Sequence, residues 1–164
     1  ELHLRPIIDL KKASGQELFR TILDEVAHLV KKYKGSLSGE HGDGRLRGEF
    51  IPFMIGDKNY ALLEDVKKSW DPDFLFNPGK IVRTPPMNTH LRYESNQQDP
   101  VIGTYFDFSK TRGILRAAEL CNGSGDCRKT ALSGGTMCPS YMATRDEKDT
   151  TRARANILRE MLTR

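Results

Sequence analysis

The stretch SGEHGDGRLRGEF, residues 38–50, sets Glu40 beside His41 and follows them with Asp43, Arg45 and Arg47. Imidazole and carboxylate groups ligate metals and move protons. Guanidinium groups fork onto carboxylates. Gly39, Gly42 and Gly44 let the backbone take positive φ and let a ligand come close. In an extended segment the adjacent Glu40 and His41 point in opposite directions. One could hold a metal while the other faces a substrate only if the backbone twists there, which the glycines permit. The alternative is a glycine-rich hairpin whose charges sit in water.

A second group of reactive side chains lies further on. Cys121, Cys127 and Cys138 fall within eighteen residues. An odd, tightly clustered set with no secretion signal argues against a disulfide scaffold and for metal or cluster ligation in a reducing compartment. A bacterial ferredoxin run reads C-x2-C-x2-C-x3-C-P. Here Ser124 stands where the middle cysteine would be, and the Cys-Pro pair comes later, as Cys138-Pro139. Three free thiols in a loop are the alternative. A lone zinc site is disfavoured, because no nearby histidine supplies a fourth ligand.

These groups need elements to hold them. LHLRPIIDL, residues 2–10, reads as a strand, with Pro6 confining it to an edge or a bulge. A helix is predicted over 16–34. Ser14 and Glu17 form its capping box, Leu18, Phe19, Ile22, Leu23, Val26, Leu29, Val30 and Tyr33 its apolar rhythm, and Gly35 its stop. A second helix is expected with Asp57 as its cap, with Tyr60, Leu63, Val66 and Trp70 facing inward and Asp71-Pro72 ending it. FNPGKIV reads as a tight turn into a short strand. Residues 84–108 read as a linker, opened by TPPMN and lacking an apolar period. Short helices are expected near 114–120 and from Thr151 onward.

The chain has 164 residues, room for one domain or two small ones. Its apolar runs are far too short to span a membrane, and no signal peptide opens it. It reads as a piece of something longer, in a cytoplasmic setting that could be peripheral at the inner membrane. Net charge is +4, unevenly placed: residues 1–109 carry 15 basic and 16 acidic groups, residues 110–164 carry 11 and 6. The basic tail is read as a solvated face or a surface for an anionic protein, with no nucleic-acid partner.

SGEHGDGR followed by WDPDFLFNPGKIV resembles the C-terminal part of FAD-linked 2-hydroxy-acid dehydrogenases. That group comprises D-lactate dehydrogenases, glycolate oxidase flavoprotein subunits and D-2-hydroxyglutarate dehydrogenases, within the vanillyl-alcohol-oxidase superfamily. LHLRP is similar to the second half of the family's GHxxxGxLHxRP element. The tail, CNGSGDCRK through GTMCPSYMATRDEKDTTRARANILR, resembles the ferredoxin-like domain fused behind the flavoprotein in long bacterial members.

The resemblance implies an α+β fold. Residues 1–83 would end the oxidase substrate domain, 84–108 would link, and 109–164 would begin a mostly helical iron–sulfur domain. It implies that His3 and Glu40 ligate a divalent metal, zinc by preference, and that His41 is the catalytic base. Asn77 and Lys80 would lie near the flavin. Arg45 or Arg47 could fork onto the substrate carboxylate, Arg45 being the one taken, with a plain surface role open for each. Cys121, Cys127 and Cys138 would serve 4Fe-4S clusters whose ligand sets this stretch leaves incomplete. The implied reaction takes a small 2-hydroxy acid to a 2-oxo acid. FAD would sit mostly on an upstream domain, and electrons would pass through the clusters to a further acceptor. The rival reading is a non-catalytic electron-transfer or docking module that keeps the fold.

Overall fold

The computed structural model describes residues 2–135 and 137–163. The chain divides into two compact units, Glu1–Gln97 and Gln98–Arg164.

In the first unit, helix α1 runs Ala13–Lys32, α2 Ile51–Ile55 and α3 Asp57–Trp70. α1 forms because its apolar residues recur at helical spacing, and Lys31 and Lys32 suit the negative end of its dipole. Its stop is a Schellman turn. Lys34 takes φ 56°, and the Gly35 N–H reaches the Val30 carbonyl at 2.9 Å. The start differs from the predicted capping box. Ser14 lies inside the helix, and the Ala13 N–H is capped by Asn96 Oδ1 at 3.3 Å. Glu17 instead accepts from the Asn88 amide at 3.2 Å.

Thus residues 84–97, the front of the expected linker, fold back onto α1. Met87 is buried with Ala27 and Phe50 in the core of this unit. Full burial of a side chain of that size contributes roughly 1.5–3 kcal/mol. Gln16 adds bonds to the Leu10 and Tyr93 carbonyls at 3.0 and 3.2 Å.

The expected strands are corrected. No strand occurs among the described residues. Residues 2–8 are irregular, with Leu2, Leu4 and Ile7 exposed. A strand needs a neighbour to take its backbone donors and acceptors, and no other segment of this unit pairs with it. In FNPGKIV and the Arg83 that follows it the backbone turns repeatedly: Asn77, Gly79, Ile81 and Arg83 all have positive φ. The Val82 N–H closes on the Lys80 carbonyl at 2.8 Å, a γ-turn centred on Ile81. Burial of Val82, and the Tyr60 hydroxyl accepting from the Arg83 N–H at 2.8 Å, hold that strained turn in place. The inward stripe expected on α3 holds at Tyr60 and Leu63, which are half-buried, and is corrected beyond them. Val66 and Trp70 are 59% and 86% exposed, and Leu62 on the same face is 61% exposed.

The second unit packs α4 (Ile114–Glu119) against α6 (Thr151–Thr163), burying Leu115 and Ala118, with α5 (Pro139–Thr144) between them in sequence. Thr150 is fully buried and caps α6: its hydroxyl accepts from the Ala153 N–H at 2.9 Å and donates to the Glu147 carbonyl at 2.8 Å. No described helix is long and apolar enough to cross a membrane.

Candidate functional site

The glycine-rich stretch between α1 and α2 takes the twist its sequence permits. Gly42 and Gly44 have φ 74° and 55°. The Arg47 N–H closes a turn onto the Asp43 carbonyl at 3.0 Å. Three sets of contacts from one distant stretch, residues 81–90, then fix that turn. The Ile81 N–H donates to the Gly44 carbonyl at 2.9 Å. Arg45 reaches out to the Thr89 and His90 carbonyls at 2.7 and 3.4 Å. Gly48 lies so close to Thr84 that a Cβ there would stand 2.4 Å from the Thr84 methyl carbon.

Held this way, Glu40 comes between two imidazoles. Its Oε1 lies 2.8 Å from His41 Nε2 and 3.7 Å from His3 Nε2. The two rings are edge-on, with centroids 6.5 Å apart. A carboxylate at hydrogen-bond distance from Nε2 favours the proton on that nitrogen and leaves the lone pair on Nδ1. The His3, Glu40 and His41 side chains are 49%, 55% and 73% exposed, so they stand at a surface rather than in the core.

They open onto a cavity of about 240 Å³. Its apolar wall includes Leu4, Phe19, Ile22, Leu23, Val26, Leu37, Leu46 and Met87. Ser38 and Arg47 join the three reactive side chains as its polar lining. The Ser38 hydroxyl is buried without a hydrogen-bond partner, an unspent polar group at the cavity wall. Arg47 Nη1 donates to the Gly42 carbonyl at 3.0 Å. Sequence periodicity assigned Phe19, Ile22, Leu23 and Val26 to a core-facing stripe; here that stripe also walls the cavity.

His3 and Glu40 supply an imidazole nitrogen and a carboxylate oxygen, donors that suit a zinc-class ion. Their 3.7 Å spacing is near the roughly 3.3 Å that two tetrahedral ligands at ordinary zinc distances would have. The pair fits as part of a donor set. No three His, Cys, Asp or Glu side chains gather as a metal site among the described residues.

The other expected site residues lie elsewhere. Asn77 and Lys80 are exposed on the NPGK turn, where Lys80 Nζ donates to Asn77 Oδ1 at 3.4 Å, and neither lines the cavity. Cys121 and Cys127 are half-buried free thiols. Cys138 is buried. A backbone bond from Tyr141 holds its thiol below the usual range against the opposing effect of burial, with help from the Thr151 hydroxyl, the Thr151 backbone and the Arg154 charge. The expected iron–sulfur ligand set is not gathered among the described residues.

Residues 1–81 match the family described as FAD linked oxidases, C-terminal domain. The chain is 36% identical over 168 residues to a D-2-hydroxyglutarate dehydrogenase of Pseudomonas putida, covering 98% of this chain and 16% of that protein. A D-2-hydroxyglutarate dehydrogenase of Escherichia coli is also 36% identical, over 164 residues, with the same coverage. A D-lactate dehydrogenase of Anaerostipes hadrus is 29% identical over 73 residues, covering 44% of this chain and 15% of that protein. The chain therefore spans about one sixth of the length of the curated relatives it matches along nearly its whole extent. No solved structure matches it.

Proposed function

Because the chain belongs, through residues 1–81, to the FAD-linked oxidase family, we propose that it supplies the substrate-side part of an FAD-dependent dehydrogenase oxidising a 2-hydroxy acid to a 2-oxo acid. The observation that carries this reading is the placement of Glu40 between His3 and His41 at the mouth of one small cavity.

In this reading the cavity takes the hydroxy acid. Its volume of about 240 Å³ suits a small metabolite, below the roughly 300–1,000 Å³ of pockets for drug-sized ligands. His41 acts as general base. Glu40 fixes the imidazole through Nε2, so Nδ1 takes the proton of the substrate hydroxyl. His3 and Glu40 would contribute two ligands to a divalent ion of the zinc class. Such an ion, when bound, makes a coordinated hydroxyl more acidic. FAD, when bound, accepts the hydride leaving the substrate carbon. Asn77 and Lys80 would meet the flavin from their exposed turn, and most of its binding would come from chain outside these residues. Cys121, Cys127 and Cys138 would begin an iron–sulfur relay from the flavin to a further acceptor.

The test is rapid-mixing spectroscopy of the complete flavoenzyme. His41→Ala is expected to slow flavin reduction by about two to four orders of magnitude, the range for a positioned general base. Cys138→Ser is expected to leave flavin reduction alone and to slow the passage of electrons onward. Unchanged flavin reduction in His41→Ala would remove the base assignment. Unchanged onward transfer in Cys138→Ser would remove the relay.

A further inference from the structure

Two arginines flank the turn of the candidate site, and Arg45 is the one taken above for the substrate carboxylate. Their surroundings differ. The Arg45 guanidinium is committed to the backbone, bridging to the Thr89 and His90 carbonyls at 2.7 and 3.4 Å, and it does not line the cavity. Arg47 does line it. One of its terminal nitrogens rests on the Gly42 carbonyl at 3.0 Å, which folds the side chain back over its own turn and fixes its direction. Elsewhere in this unit Arg20 and Arg83 pair with Glu49 and Glu64 at 2.8 and 3.1 Å. Arg47 forms no ion pair with a carboxylate among the described residues, so none of them is bonded to its positive charge in the cavity wall.

We propose that Arg47 is a specificity-determining residue that takes a second carboxylate of the substrate, so that the cavity prefers a 2-hydroxy dicarboxylate over a 2-hydroxy monocarboxylate. The proposal rests on the reading of the site as a 2-hydroxy-acid site. There, the carboxylate and hydroxyl next to the reacting carbon are engaged at the His3, Glu40 and His41 end. A monocarboxylate such as lactate then has nothing left to offer a guanidinium. A dicarboxylate carries one more anion, and the planar fork of N–H donors not spent on Gly42 matches it. The methylenes between its two polar ends suit the apolar wall formed by Phe19, Leu23, Leu37 and Met87.

The experiment uses the complete holoenzyme with Arg47→Met, Arg47→Lys and Arg45→Met. The first readout is the ratio of kcat/KM for D-2-hydroxyglutarate to that for D-lactate. The second is calorimetric binding of glutarate, which has two carboxylates and no hydroxyl to oxidise. Loss of one charge-assisted carboxylate contact predicts an about 10–100-fold fall in the ratio and a similar loss of glutarate affinity in Arg47→Met. KM should carry most of the kinetic effect, Arg47→Lys should recover part of it, and Arg45→Met should move both readouts less. An unchanged ratio and unchanged glutarate affinity in Arg47→Met would overturn the proposal. So would a wild type that binds no glutarate, or a larger loss in Arg45→Met. If the wild type oxidises no 2-hydroxy acid yet binds glutarate through Arg47, the proposed reaction fails and the anion assignment stands.

Discussion

The two polar loops of this chain, residues 38–50 and 121–138, both carry their reactive side chains among glycines, yet they are held in opposite ways. The first is fixed from a distance. Its turn receives a bond from Ile81, sends Arg45 to Thr89 and His90, and presses Gly48 on Thr84. The second is held mostly by its near neighbours. The Ser124 N–H and hydroxyl donate to the Asn122 and Asp126 side chains, the Lys129 N–H to the Asp126 carbonyl, and the Ser133 N–H to the Thr130 carbonyl. Its longer ties are the Arg128–Glu147 ion pair and the contacts of Cys138 with Thr151 and Asp149. Local bonds open with the few residues that make them, whereas a bond between distant segments opens only when those segments part. The difference teaches that the glycine–histidine turn is preorganised by the fold, while the cysteine loop owes most of its order to bonds within itself.

The sharpest way to break the comparison is amide hydrogen exchange. The Ile81 amide, whose bond to the Gly44 carbonyl ties the first loop to a segment far away in sequence, is expected to exchange slowly. The amides of Ser124, Lys129 and Ser133 are expected to exchange about a hundredfold faster, the ratio given by a roughly 2.7 kcal/mol difference in opening free energy. Similar protection in both loops would end the contrast.

A smaller effect tests one brace by itself. Gly48→Ala drives a methyl into Thr84. Overpacking of that kind costs about 1–3 kcal/mol. Thr84→Ala removes the atoms in the way, so Gly48→Ala combined with Thr84→Ala is expected to be more stable than Gly48→Ala alone, a coupling that a double-mutant cycle reads directly. Denaturant unfolding followed by circular dichroism supplies the measurement. Additive losses would mean that the two residues are not in register as described.

What the sequence made legible follows from the range of the forces involved. α1 and α3 were readable because helix periodicity is local: the expected spans 16–34 and 57–70 meet Ala13–Lys32 and Asp57–Trp70. The cap of α1 was not, because Asn96 arrives from 83 residues away and leaves Ser14, the better local signal, inside the helix. The two strands failed for the same reason. Alternating apolar residues describe a strand's faces and say nothing about whether a partner comes alongside. At the site, Glu40 and His41 stood out by type and spacing. That Thr89 and His90 fold back to take the Arg45 guanidinium is a contact across some 45 residues, which no local pattern carries.

The smallest expected effect lies at the end of α3 and appears only in acid. Asp71 is 5% exposed. Its carboxylate takes Lys67 Nζ at 2.5 Å and the Leu75 and Phe76 N–H groups at 2.9 Å each, which ties the WDPDFLF turn to the helix. The lysine bond, then the two backbone bonds, hold its pKa below the ordinary carboxylate value, although burial opposes them. A carboxylate whose folded pKa is depressed contributes stability that is fully present above its unfolded pKa, about 3.9. That contribution is lost as pH falls through the folded value, because protonation then removes the charge both partners need. Asp71→Asn keeps the shape and deletes the charge at every pH. The variant is therefore expected to unfold earlier than the wild type at neutral pH, and the gap should close as pH drops below about 4. Asp107 and Asp146, whose pKa values are also lowered, titrate in both proteins and cancel from the difference. Thermal unfolding of the pair across the acid range measures the gap. A gap that stays constant with pH would show that Asp71 acts through its shape and hydrogen-bond count alone, and the charged brace at the end of α3 would be struck from the contacts that distinguish the first unit.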